Sequence, residues 1–388
     1  MYVLGASAAA AAASIAEETA DMIDRPRALS LSRRRFLAAL GLSGGAAGLA
    51  ASALADEGAQ HMADRVKVAA EALAGRMWRW IDRLQVPGET RGTLRPRSDA
   101  EPTLLACCDG AMILHILGLM DQVGPERKAW AGVVHAAQRP DGSFGSLHSF
   151  GMAVRALNCL GQPLLLRPAF QDEWGRPDAL VEWLDSRDWS KPWGASIEVL
   201  HVACPRCDAA NAGGMMTVDP AWRDAIFKWL ADSQEPSTGL WAPGHEDEVD
   251  LFNKMGAAFH FFPFYTGWGE GLPRAEAMID STLSLQRADG TFAGGYADMD
   301  AVHMLATLAG QTDHRRQAVR TALTRCFDAY ADRFAAEDVE VTFRDLHSAL
   351  ASVELLCQLA RILAPGLPMT DCSGWDPRLW RVRWIQSD

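Results

Sequence analysis

A turn recurs along this chain at intervals of about fifty residues, and that interval restricts the fold more than any other feature. Gln138-Arg139-Pro140-Asp141-Gly142-Ser143-Phe144 returns as Gln286-Arg287-Ala288-Asp289-Gly290-Thr291-Phe292. Gln234-Glu235-Pro236-Ser237-Thr238-Gly239-Leu240-Trp241 is a looser copy. Arg187-Asp188-Trp189 to Trp193-Gly194 holds the place of a fourth, and Gln85-Val86-Pro87-Gly88 that of an earlier one. The steps from one to the next are 53, 49, 47 and 52 residues. A period of this length is one supersecondary unit, which buries its apolar face only by stacking on its neighbours.

Helical patterns flank each turn. Upstream, Trp130 to Gln138, Trp222 to Gln234 and Ala275 to Gln286 carry apolar residues at three- and four-residue steps. Asp-Gly and Pro close these segments, because Gly accepts positive φ and Pro cannot extend the helical ladder. Downstream come greasier helices of small residues: Leu104 to Leu119, Gly151 to Leu160, Met255 to Phe262, Asp298 to Leu308 and Asp345 to Leu363. No stretch alternates in the manner of a strand. The expected class is all-α. A half-polar helix paired with a nearly all-apolar one is what an outer ring around an inner ring requires. The expectation is an (α/α)6-type toroid in one domain; an open solenoid would give its inner helices a polar concave face.

The Gln-x-x-Asp-Gly-Ser/Thr-Phe turns resemble those of the terpenoid cyclase and protein prenyltransferase superfamily of α/α toroids, from about Gln85 to Leu363. In that family the turn ties an outer helix to the next inner one, so the resemblance implies the fold and leaves the chemistry open.

A second repeat bears on chemistry. Tyr296-Ala297-Asp298-Met299-Asp300-Ala301 and Phe343-Arg344-Asp345-Leu346-His347-Ser348 both open inner helices, 47 residues apart. If the two hairpins are neighbours, Asp298, Asp300, Asp345 and His347 share one rim, and the register brings Asp109 to the level of Asp300. Asp298 and Asp345 also suit plain N-capping. Asp300 and His347 lie too far into their helices for that, and acids there must share a proton, hold a cation or meet a substrate. Asn253, Gly256 and His260 fall on one helical face; His260, set among phenylalanines, is either a core histidine or a base beside an aromatic platform. His148 and Arg155 are further candidates, and Cys204-Pro205-Arg206-Cys207 with His201 is a weak metal or disulfide signal.

Two chemistries fit the acidic rim. Asp298, Asp300 and His347 could hold a divalent metal, zinc or a harder ion, with one position open. The resemblance to prenyltransferases implies zinc on an Asp-x-Cys and a later His; here Asp300 replaces the Cys, which removes the thiolate. Alternatively two carboxylates work as acid and base on a glycosidic bond. An Asp-x-Asp-Asp run of the cyclase type is incomplete in Asp298-Met299-Asp300-Ala301.

The N-terminal residues point to an address. Ser32-Arg33-Arg34-Arg35-Phe36-Leu37, a weakly apolar stretch to Leu54, and Ala53-Leu54-Ala55 read as a twin-arginine signal over 1–55, ahead of a single domain over 56–388. Met22 is an alternative start. The chain is then a partner of the twin-arginine translocase and becomes periplasmic or secreted. A net charge of −12 argues against nucleic-acid partners. No later apolar run reads as a membrane span. The 14 tryptophans read mainly as core, and the eight cysteines form no dense disulfide framework. Together these features lead to an exported hydrolase or lyase acting on a glycan or similar small polar substrate, with Asp298, Asp300 and His347 central and Asp109 and His260 near. A non-catalytic ligand-binding toroid and a prenyltransferase-like enzyme are the alternatives.

Overall fold

The structure is a computed structural model that describes residues 57–207, 219–365 and 367. The leader expected over 1–55 lies outside the described residues, as do the side chains of Cys204 and Cys207.

All regular elements among the described residues are helices. They are α1 (Glu57–Leu84), α2 (Leu104–Ile116), the short α3 (Met120–Val123), α4 (Glu126–Ala136), α5 (Leu147–Leu160) and the short α6 (Phe170–Glu173). Then follow α7 (Pro177–Asp185), α8 (Pro192–Cys207), α9 (Pro220–Ser233), α10 (Leu251–Phe259) and α11 (Phe262–Trp268). The last are α12 (Ala275–Ser284), α13 (Tyr296–Leu308), α14 (Arg316–Ala335), the short α15 (Val339–Thr342) and α16 (Leu346–Leu363). The chain is all-α, as its apolar spacing requires.

The recurring turn has one local chemistry. Gln138 Nε2 donates to the carbonyls of Gly142 (3.0 Å) and Leu166 (2.8 Å), while its Oε1 accepts from the amides of Leu165 and Leu166. Gln286 repeats this on Gly290 (2.9 Å) and Ala322 (2.7 Å), and Gln234 on Gly239 (2.8 Å) and Pro273 (3.1 Å). Each glutamine therefore bonds its own turn to a segment of the following hairpin, 27 to 39 residues further along. Asp141 and Asp289 each accept the amide two residues later at 2.9 Å. Gly142 and Gly290 have φ of 78° and 95°, and a Cβ there would come within 2.4 and 2.5 Å of the carbonyl oxygens of Arg167 and Arg325. Glycine is required twice over, by conformation and by space. At the fourth copy Arg187 stands in place of the glutamine and instead pairs with Glu198 at 2.9 Å, which accounts for its blurred sequence signature.

The tryptophans build the core. Trp80, Trp130, Trp222 and Trp241 are fully buried. Trp130 Nε1 donates to the Cys107 carbonyl (3.1 Å), joining α4 to α2, and Trp241 Nε1 to that of Leu230 (2.8 Å), tying the turn after α9 back to that helix, each with its polar atom satisfied.

The apolar helices α2, α5, α8, α10, α13 and α16 pack in that order, and α16 packs in turn on α2. The more amphipathic helices lie against them: α1 on α2 and α16, α4 on α2 and α5, α12 on α10 and α13, α14 on α16. Among these more amphipathic helices, α7 packs on α9, α12 on α14, and α14 on α1. Helix α16 corrects one expectation, since it is long and apolar enough to cross a membrane. Yet 78% of it is buried within the protein, and its apolar character serves contacts with α2, α13, α14 and α1.

Candidate functional site

Three helices of the apolar series begin at one end of the domain and bring their first residues together. Ser146 caps α5 by accepting the Ser149 amide (3.0 Å), so α5 starts earlier than its apolar pattern and carries His148 in its first turn. Asp345 caps α16 with a reciprocal bond to Ser348, which sets His347 at the second helical position. Tyr296 opens α13, and its hydroxyl donates to the His347 carbonyl at 2.5 Å. The Tyr296 and His347 rings lie 4.9 Å apart, and His148 meets His347 edge-on at 6.0 Å.

Against this group α2 sets Asp109. Its Oδ1 lies 3.1 Å from His347 Nδ1. The carboxylate is 2% exposed and the imidazole 37%, so a buried acid holds a ring that reaches solvent. Burial pushes the Asp109 carboxyl up, and the charges of His347 and Arg155 only partly offset it. Burial disfavours a charged His347, but the bond to Asp109, with Glu354 and Asp345 nearby, holds its pKa above the ordinary value. Both shifts favour one proton retained within the pair. His148 behaves oppositely: burial, then the charges of His347 and Arg155, lower it to about 4. The two imidazoles are shifted in opposite directions, His347 toward holding a proton and His148 toward losing one, which is the separation of roles that acid–base chemistry uses.

Deeper along the same helices lies a buried ion pair. Arg155 of α5 donates to Glu354 Oε1 of α16 at 2.8 Å, with side chains 3% and 2% exposed. Helix α2 stands between α5 and α16 in the packing order, so the pair passes across its face. His201 of α8 packs against His148 with the rings tilted and 5.3 Å apart, and Gly151 makes that approach possible: a Cβ there would meet His201 Cδ2 at 2.2 Å.

Of the residues singled out in the sequence, the structure joins Asp109 to His347 and sets Asp345 next to them as a cap. Asp298 goes elsewhere. Its Oδ1 accepts the amides of Phe292 (2.6 Å), Ala293 (2.9 Å) and Gly294 (3.1 Å), and its Oδ2 accepts the Tyr330 hydroxyl (2.6 Å). It lies inside α13 rather than at its cap, and its carboxylate organises the preceding turn. Asp300 is buried at 2% exposure, on the Tyr296 side of α13. His260 caps the C-terminal end of α10, its Nδ1 2.8 Å from Ser196 Oγ, and burial lowers it to about 3. The ring is buried and has a side-chain partner. Of the three residues expected to hold a metal, Asp298, Asp300 and His347, Asp298 has four donors of its own. Among the described residues no three His, Cys, Asp or Glu side chains group to hold a metal.

Glu354 was not foreseen from sequence. It sits in an apolar helix and its partner is 199 residues away, so no local pattern announces it. A surface depression between α7 and α9, lined by Pro177, Asp178, Val181 and Glu182, lies on elements that carry none of these groups. Compared with protein-family models, curated proteins and solved structures, the chain matches none.

Proposed function

We propose that this chain is an exported hydrolase or lyase of glycans or similar polar substrates, in which His347, held by Asp109, moves the proton. The observation that carries the reading is the 3.1 Å contact between a buried carboxylate and a half-buried imidazole. An orienting acid on Nδ1 fixes the ring and leaves Nε2 for substrate, the base-and-orienter arrangement of many proton-transfer sites. In hydrolysis the protonated Nε2 gives its proton to the leaving oxygen as the glycosidic bond breaks, and Nε2 then takes a proton from the water that adds.

The same proposal includes a closed (α/α)6 ring over 56–388 with its substrate entering at the His347 end. The packing order that runs from α2 to α16 and back to α2 supports it, as does the repeated glutamine bond from each turn to the following hairpin. Export through the twin-arginine route is supported by Ser32-Arg33-Arg34-Arg35-Phe36-Leu37. The buried free thiols Cys107, Cys108 and Cys326 suit a chain that folds before it leaves a reducing compartment.

The test is cleavage of a panel of neutral and acidic polysaccharides by the purified protein, read as new reducing ends and, for elimination, as unsaturated products. His347→Ala and Asp109→Asn should each lower the rate by roughly a hundredfold or more with the helical circular dichroism unchanged. Variants that cleave as fast as the parent overturn the catalytic assignment. A parent that binds a glycan and never cleaves it favours the ligand-binding alternative.

A further inference from the structure

Asp300 is the buried acid that the pair at the mouth leaves unused. Its Oδ2 has no hydrogen-bond partner among the described residues, although the side chain is 2% exposed. A buried oxygen in that condition is costly, and native proteins keep such groups where something else will bind them.

Its position follows from helix geometry. His148, Tyr296 and His347 are first or second residues of α5, α13 and α16 and lie in contact, so these helices run the same way from one end. Seven residues separate His347 from Glu354, and seven separate His148 from Arg155. At 1.5 Å per residue the Arg155–Glu354 pair therefore lies about 10 Å below the mouth. Asp300 follows Tyr296 by four residues on the same face of α13, which sets it about 6 Å below the mouth, between the two levels. Burial, then the nearby charge of Glu354, pushes its carboxyl well above the usual range, which favours the uncharged form that can both donate and accept.

The charges nearest it are matched, Glu354 by Arg155 and Asp109 by His347, and the Asp345 carboxylate is taken up by the cap of α16. A charged substrate group at this depth would find no counter-charge in a low-dielectric setting, whereas a hydroxyl would find Asp300.

We propose that Asp300 is the floor of the substrate site and hydrogen-bonds a hydroxyl group of an uncharged, polyhydroxylated substrate, a neutral glycoside. This rests on the reading of the His347 end as the substrate site and adds the class of substrate.

The test is titration calorimetry of the purified protein with cellotriose and xylotriose as neutral probes, trigalacturonate as an anionic probe and a glucosamine trimer as a cationic one. A neutral probe should bind more tightly than either charged one. Asp300→Leu, similar in size and without polar atoms, should weaken that binding roughly tenfold, while Asp300→Asn, which keeps a donor and an acceptor, should stay within about threefold. Difference infrared spectra give a second readout: the protonated carboxyl band of the parent should shift on adding the neutral trimer and be missing in Asp300→Asn. Equal binding by Asp300→Leu and the parent, preference for a charged probe, no binding of either neutral probe, or an unmoved carboxyl band each overturns the inference. Turnover by His347→Ala is read separately, so a failed base assignment and a failed floor assignment are told apart.

Discussion

Replacing Glu354 by Gln should unfold the protein far more readily than its single lost charge suggests. Arg155 and Glu354 are 3% and 2% exposed and 2.8 Å apart, so removing the carboxylate strands a guanidinium in the interior. Breaking one side of a buried pair destabilises by about 3–5 kcal/mol. At roughly 2 °C per kcal/mol for a chain of this size, the melting temperature falls by about 6–10 °C. Arg155→Met should do comparable damage by stranding Glu354. The double variant Arg155→Met/Glu354→Met should regain most of the loss, because hydrophobic replacement of a whole buried pair is often neutral or better. Denaturant melts of the parent, the two single variants and the double variant close a thermodynamic cycle. The expected coupling is about 2 kcal/mol or more. Single variants within 0.5 kcal/mol of the parent, or a double variant whose loss is the sum of the singles, would refute the pairing of α5 with α16 across α2.

Three further outcomes follow from the same geometry. The folded-state pKa of His347 is raised above its unfolded value, so the protonated ring stabilises the protein fully below about pH 6.5 and less as pH climbs through the folded value; melting of parent against His347→Gln across pH should show that advantage fading upward, and a growing one contradicts it. Asp298→Ala strips the acceptor from three amides and Tyr330, and should cost about 3 kcal/mol while leaving turnover at matched folded fraction unchanged; a specific loss of rate would return Asp298 to the reaction. Gly290→Ala places a methyl 2.5 Å from the Arg325 carbonyl at a φ of 95° and should destabilise by more than about 1 kcal/mol, checked by thermal melts, whereas a stable variant would mean a relaxed turn.

What was legible in the sequence was local. The turns could be read because Gln138, Asp141 and Gly142 each answer a constraint within a few residues, and the same three answers return at Gln286, Asp289 and Gly290. The apolar stripes gave the helices, and the register of repeats put Asp109 at the level of Asp300, on the rim with His347. Asp298 and Asp345, equivalent in the sequence repeat, differ in local structure. Asp345 begins a helix and caps it; Asp298 already lies within α13 and reaches back to a glycine turn. Gly294-Gly295 was the available signal, since consecutive exposed amides in a tight turn call for an acceptor. The Arg155–Glu354 pair was out of reach because its two members meet only once the helices are packed.

The most direct measurement is the titration of His347 by NMR in the parent and in Asp109→Asn. The expected result is a parent pKa above the ordinary histidine value of about 6.5 and a fall when Asp109 loses its charge, because burial then acts on the imidazole with less opposition. An imidazole that titrates alike in both proteins would mean that Asp109 does not hold it, and the proposed proton-transfer centre would be lost.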